Sequence, residues 1–142
     1  MENQDLILQV GVKVLLKNKD GLYLLMRSNP KKYPEKGARW DIVGGRINAG
    51  STLMENLKRE VKEESNLDLA EEPVLMAAQD ILRVPGRHVV RLTYIGNIEG
   101  EPKIDEESTE YKWFTADEVK ALSYEELDIY FKELVEKGII KL

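Results

Sequence analysis

The sequence predicts a single mixed α/β domain, on three observations. Apolar residues alternate through the first segment as they do in a half-buried strand, whereas from Thr52 they recur at helical spacing. Three capping boxes, in which a hydroxyl and a carboxylate each satisfy a free backbone N–H, mark helix starts. No linker, repeat or low-complexity tract interrupts the 142 residues, a length that one core accommodates.

The elements follow in order. From Leu6 to Leu16 one face is wholly apolar (Leu6, Leu8, Val10, Val12, Val14, Leu16) and the other mixed, which predicts a strand. Asn18-Lys19-Asp20-Gly21 is a turn signal, and Leu22 to Met26 returns as the second strand of a hairpin. Ser28 to Arg39 reads as an irregular, basic loop carrying Pro30, Pro34 and Gly37, and Trp40 to Val43 as a short extended segment before Gly44-Gly45. Thr52-Leu53-Met54-Glu55 caps a helix whose apolar face is Leu53, Leu57 and Val61, and Asn66 suits its left-handed terminator. Val74 to Arg83 and His88 to Gly96 are two further strands, joined by the type II turn Val84-Pro85-Gly86-Arg87. Tyr111 to Phe114 is a short strand. Thr115-Ala116-Asp117-Glu118 opens a short helix, and Ser123-Tyr124-Glu125-Glu126 a longer one ending near Gly138.

Composition narrows the chemistry. At 42% hydrophobic and 33% charged, the chain builds a core and keeps a wetted surface, which excludes wholesale disorder. Without cysteine it has no disulfide, thiolate metal site or cysteine nucleophile, and with His88 alone it has no histidine-rich metal site. Any metal is therefore held by oxygen, which favours Mg²⁺, Mn²⁺ or Ca²⁺. A net charge of −5 argues against general nucleic-acid binding. No apolar run approaches membrane-spanning length, and Met1-Glu2-Asn3-Gln4-Asp5 lacks the order of a secretory signal, so a cytoplasmic domain is expected.

Glu60, Glu63 and Glu64 carry the most information. At helical spacing they fall within an arc of about 100° on one face, where three like charges repel unless a cation compensates. Glu60 and Glu64 border the apolar stripe, which sets them apart from an ordinary solvated acidic face. The outer face is taken by Glu55, Lys58, Arg59 and Lys62, and Arg59 can reach Glu55 and Glu63. Ahead of the helix, Gly44, Gly45 and Gly50 allow backbone groups to approach a metal or a phosphate.

Gly45 through Leu67 resembles the Nudix box, Gly-x5-Glu-x7-Arg-Glu-U-x-Glu-Glu-x-Gly-U with U aliphatic: Gly45, Arg59, Glu60, Val61, Glu63, Glu64 and Leu67 match at the right spacing. The preceding hairpin, Trp40 and Glu110-Tyr111-Lys112-Trp113-Phe114 extend the resemblance over most of the chain. Two positions depart: Asn66 replaces the last Gly, and Ser51 stands where the pattern has its first Glu, a residue that helps hold loop and helix together. The resemblance implies an α/β/α sandwich around a mixed sheet. It also implies a Mg²⁺- or Mn²⁺-dependent hydrolase of nucleoside diphosphate derivatives. Glu60 and Glu64 are then the leading metal ligands, with Glu63 a ligand or water-bridged partner and the Gly44 carbonyl a backbone ligand. The general base is a box carboxylate, Glu63 or Glu64, or one from the acidic loop at Asp105–Glu110, of which Glu107 and Glu110 are favoured.

Arg27, Arg39, Arg83, His88 and Arg91 are candidate substrate contacts, as are Lys31, Lys32, Arg87 and Tyr33; Trp40 and Trp113 are read as core. The modest length leans towards a small MutT-like enzyme acting on a nucleoside triphosphate or modified nucleotide. ADP-ribose, ADP-sugars and dinucleoside polyphosphates are the alternative substrates. A non-catalytic nucleotide-binding domain and a calcium-binding structural domain are the other readings. A homodimer is frequent in such a family.

Overall fold

The computed structural model describes residues 5–142; of the N-terminal reading, residues 1–4 lie outside this range. β1 (Ile7–Lys17), β2 (Tyr23–Ser28), β3 (Trp40–Asp41), β4 (Val43–Arg46), α1 (Leu53–Ser65), β5 (Val74–Ile81), β6 (Arg87–Asn97), β7 (Ser108–Phe114), α2 (Ala116–Ala121) and α3 (Ile129–Glu136) follow in chain order. The sheet runs β3-β2-β1-β6-β5, with β4 also paired to β1 and β7 to β2. It is mixed: β1 and β6 are parallel from Ile7↔Arg87 to Lys17↔Asn97, while β1 and β4 are antiparallel.

Alternation along β1 sorts the molecule into layers. Val12, Val14 and Leu16 face Leu57 and Val61 of α1, and Leu15 faces the opposite side with Phe131 and Leu134 of α3. This is the α/β/α sandwich the sequence implies. α1 is bounded as expected, with Thr52 and Glu55 forming the capping box and Asn66 left-handed at φ 60°. Among the described residues no helix is long and apolar enough to cross a membrane.

One boundary differs. The long last helix does not begin at the Ser123 box: Glu126 accepts from Trp40 N at 2.8 Å and Asp128 N donates back to Trp40 O at 2.8 Å. This two-way backbone pairing keeps Leu127 extended against β3, so Ser123–Glu126 is only a turn. Asp128 then caps α3, its carboxylate accepting from Phe131 N at 2.9 Å. A tertiary contact overrides a valid local signal here.

Candidate active site

β4 is short because it is glycine-rich and ends in the loop that feeds α1. Gly44 has φ 145°, and a Cβ there would stand 2.0 Å from Val12 O. At Gly45 a Cβ would meet the Glu60 carboxylate at 2.6 Å, so the missing side chain is the space that Glu60 fills. Glu64 accepts from Gly44 N at 2.8 Å. α1 thus carries both carboxylates to the edge of β4, each residue 7% exposed.

Glu63 stands apart on the exposed side of the helix, its Oε2 3.4 Å from Arg59. Arg59 also holds Glu60 at 2.9 Å, and its second nitrogen donates to Arg46 O and to Asn56 Oδ1. It does not take Glu55, whose carboxylate is spent on the Thr52 cap. Among the described residues no three Asp, Glu or His side chains converge closely enough to enclose an ion: Glu60 and Glu63 share Arg59, while Glu64 turns to the Gly44 amide.

The electrostatics remain strained. Burial pushes the Glu64 carboxyl up to about 8, with Glu60 adding to the rise and Lys13 opposing it. Glu60 is raised too, by burial and by Glu63, against the pull of Arg59. The like charge of Glu107 adds a smaller push to both. Two buried carboxylates with one directly paired cation between them, the Arg59 guanidinium on Glu60, are a donor set suited to a hard divalent cation.

Lys13 projects from β1 onto the other side of β4. Its ammonium donates to Asp41 at 3.1 Å, Ile42 O at 3.2 Å and Gly44 O at 3.3 Å. Asp41 continues into Arg91, whose guanidinium reaches Asp41 at 3.3 Å and Asp128 at 3.0 Å. Burial alone would raise Asp41, but Lys13 and Arg91 hold it down at about 2. Arg91 Nε, Thr93 Oγ1 and Gln79 Oε1 are buried without a partner on this α3-facing side of the sheet. Lys13, Asp41 and Asp128 are not among the site residues expected from the sequence. Their signal is a charged residue inside an apolar stretch, as in Trp40-Asp41-Ile42 and Leu127-Asp128-Ile129.

The other candidates scatter. Arg27 pairs with Glu110 at 3.2 Å across β2 and β7, which ties up both side chains. Arg39 donates to Tyr124 O at 2.8 Å, Arg83 stacks over Tyr130 at 5.5 Å, and His88 meets Asp80 at 2.8 Å. Arg91 belongs to the buried network and is 5% exposed. Trp40 packs edge-on against Phe114 at 5.0 Å, and Trp113 packs on the α1-side core.

Ser51 is exposed, and the brace its position implies is made by Asn56 instead. Asn56 is 1% exposed; its Oδ1 accepts from Asn48 N at 2.8 Å, and its Nδ2 donates to Thr52 O at 2.7 Å and Ser51 O at 3.2 Å. Asn56→Ala is therefore expected to cost about 2 kcal/mol, since it removes three loop hydrogen bonds and an acceptor for Arg59 made by a buried side chain. Ser51→Glu should change stability by less than about 1 kcal/mol, through the helix dipole alone. Urea unfolding of the two variants checks this, and equal effects would refute the assignment of the brace to Asn56.

A family model described as the NUDIX domain matches residues 7–135. A Mycobacterium tuberculosis protein named "Putative 8-oxo-dGTP diphosphatase 2" is 31% identical over 86 residues, 61% of this chain and 60% of that protein. The match thus spans less than two thirds of that relative. The solved MutT protein from Methanosarcina mazei Go1 superposes with a TM-score of 0.81 at 23% identity, covering 94% of each chain. A MutT NUDIX hydrolase from Burkholderia pseudomallei gives a TM-score of 0.68 at 28% identity, over 79% of this chain and 86% of that one.

Proposed function

The chain belongs to the NUDIX domain family, and from that membership and the site geometry we propose that it is a divalent-metal-dependent pyrophosphohydrolase acting on a nucleoside triphosphate, ordinary or oxidised. The observation that carries this is the buried Glu60–Glu64 pair held against Gly44 and Gly45 with its charge unbalanced. Glu60, Glu64 and the Gly44 carbonyl, with Glu63 at the rim, would hold Mg²⁺ or Mn²⁺. Such a cation, when bound, neutralises phosphate charge and lowers the pKa of coordinated water.

The chain's own groups do the rest. Arg59 keeps Glu60 and Glu63 oriented while bracing the loop at Arg46. Glu107 accepts the proton of the attacking water as its oxygen bonds to phosphorus and the α–β anhydride P–O bond breaks, releasing nucleoside monophosphate and pyrophosphate. Glu107 is favoured over Glu110 because its charge acts on Glu60 and Glu64, whereas Glu110 faces Arg27 across β2 and β7. On the α3-facing side, Asp41 and Asp128 keep 16% and 20% of their side chains exposed. Carboxylates fixed by Lys13 and Arg91 suit the N–H groups of a purine or pyrimidine. The M. tuberculosis relative, by its name, concerns such a nucleotide.

The test is a panel of nucleoside triphosphates, 8-oxo-dGTP, ADP-ribose and dinucleoside polyphosphates, assayed for monophosphate and pyrophosphate release with Mg²⁺ or Mn²⁺. The triphosphates should be converted, and a chelator should abolish the reaction; absence of turnover on every substrate overturns the reading. Either metal at about 100 times its Kd should also stabilise the fold by about 2.7 kcal/mol. That gain should shrink in Glu60→Gln, and a melting curve unmoved by metal counts against the site.

A further inference from the structure

The basic loop between β2 and β3 is docked onto the acidic loop before β7. Asn29 N donates to Glu107 O at 3.1 Å, and Asn29 Nδ2 to Glu106 O at 2.9 Å. These bonds hold the backbone of the acidic loop. Lys32 is directed at Glu106, 3.2 Å away, and lies 3.9 Å from Glu107. The closest hold on the Glu107 side chain comes from Tyr33, whose hydroxyl donates to Glu107 Oε1 at 2.7 Å.

The acidic loop is also tied to the carboxylate helix. Lys103 N donates to Ser65 O at 2.9 Å, one residue beyond Glu64, and Ile104 packs on the core that α1 covers. Tyr33 is half-buried, and its phenol is raised above its ordinary value by burial and by Glu107, so it stays a proton donor at neutral pH. A neutral donor on a carboxylate fixes the position of one oxygen and leaves the other free to accept a proton.

We propose that Tyr33 is a positioning residue that fixes the Glu107 carboxylate beside the Glu60–Glu64 row. The proposal rests on Glu107 being the base of the hydrolysis proposed above. It assigns the β2–β3 loop a part in turnover through Tyr33, beyond the phosphate contacts expected of its lysines.

The test is a double-mutant cycle on the full chain with Mg²⁺ and the nucleoside triphosphate turned over fastest. Glu107→Gln should lower kcat by about 10²–10⁴-fold. Tyr33→Phe should lower kcat about tenfold with KM unchanged. Adding Tyr33→Phe to Glu107→Gln should change kcat by less than about twofold, because Tyr33 acts through Glu107. An equal tenfold loss in both backgrounds would make Tyr33 a plain structural staple and overturn the proposal, as would full activity of Tyr33→Phe or Glu107→Gln. Hydrogen exchange separates this from the hydrolase reading. In Tyr33→Phe the amides of Glu107 and Ser108 should exchange about tenfold faster, with α1 unchanged. Unchanged exchange there refutes the proposal even if the enzyme is active. An inactive wild type with faster exchange refutes the hydrolase reading and retains Tyr33 as the anchor of Glu107.

Discussion

Glu64→Gln should lower turnover by several orders of magnitude and yet make the protein more stable in the absence of divalent metal. The loss of turnover follows from removing a carboxylate of the proposed metal site. The gain in stability follows from the Glu64 carboxyl, raised from 4.5 to about 8 by burial. A carboxyl with a raised folded value binds its proton more tightly folded than unfolded, so stability falls as pH rises between those two values. The penalty is absent below 4.5 and complete above about 8. With a chelator present, the wild-type melting temperature should decline across this window, apart from other titrations, and the variant should lack that component. Gln keeps an oxygen for the Gly44 amide. Chelated melts at pH 5 and pH 9 check the sign: no relative gain for the variant at pH 9 would refute the strained pair. Near-wild-type rates with Mg²⁺ would refute the catalytic assignment.

The glycine pair should respond in two distinct ways. At Gly44 an added Cβ meets backbone, with Val12 O at 2.0 Å and Lys13 Cα at 2.7 Å, at a φ of 145° that side chains rarely adopt. Gly44→Ala is expected to cost more than about 4 kcal/mol and to prevent stable folding. At Gly45 the obstruction is the end of a flexible side chain, Glu60, at 2.6–2.9 Å. Gly45→Ala should fold, with Glu60 swung aside, while losing metal-dependent stabilisation and turnover. Circular dichroism and a melt with and without Mg²⁺ distinguish the two. A Gly45→Ala protein with wild-type metal response would show that the Glu60 position has no bearing on the site.

Local signals survive into the structure where the cause is itself local. The Thr52 capping box and the left-handed Asn66 bound α1 as read, because both act within one helical turn. The Ser123 box is equally well formed in sequence, but Leu127 pairs with Trp40, some ninety residues away along the chain, and the helix waits for Asp128. β7 likewise begins at Ser108, three residues ahead of its expected start at Tyr111, because β2 supplies a partner for that stretch.

The alternation that makes β1, the spacing that sets Glu60 and Glu64 at the edge of the buried face of α1, and the glycines that let β4 approach them are all legible along the chain. Each is a matter of period or of a missing Cβ, properties that a single segment carries. Which charges meet is settled by the folded arrangement of the segments. Lys13, Asp41, Arg91 and Asp128 come from four separate elements or their caps, and Asn56 takes the brace that the Ser51 position implies. Ion pairs and side-chain braces of this kind depend on distances between segments, and sheet pairing and layer packing set those distances.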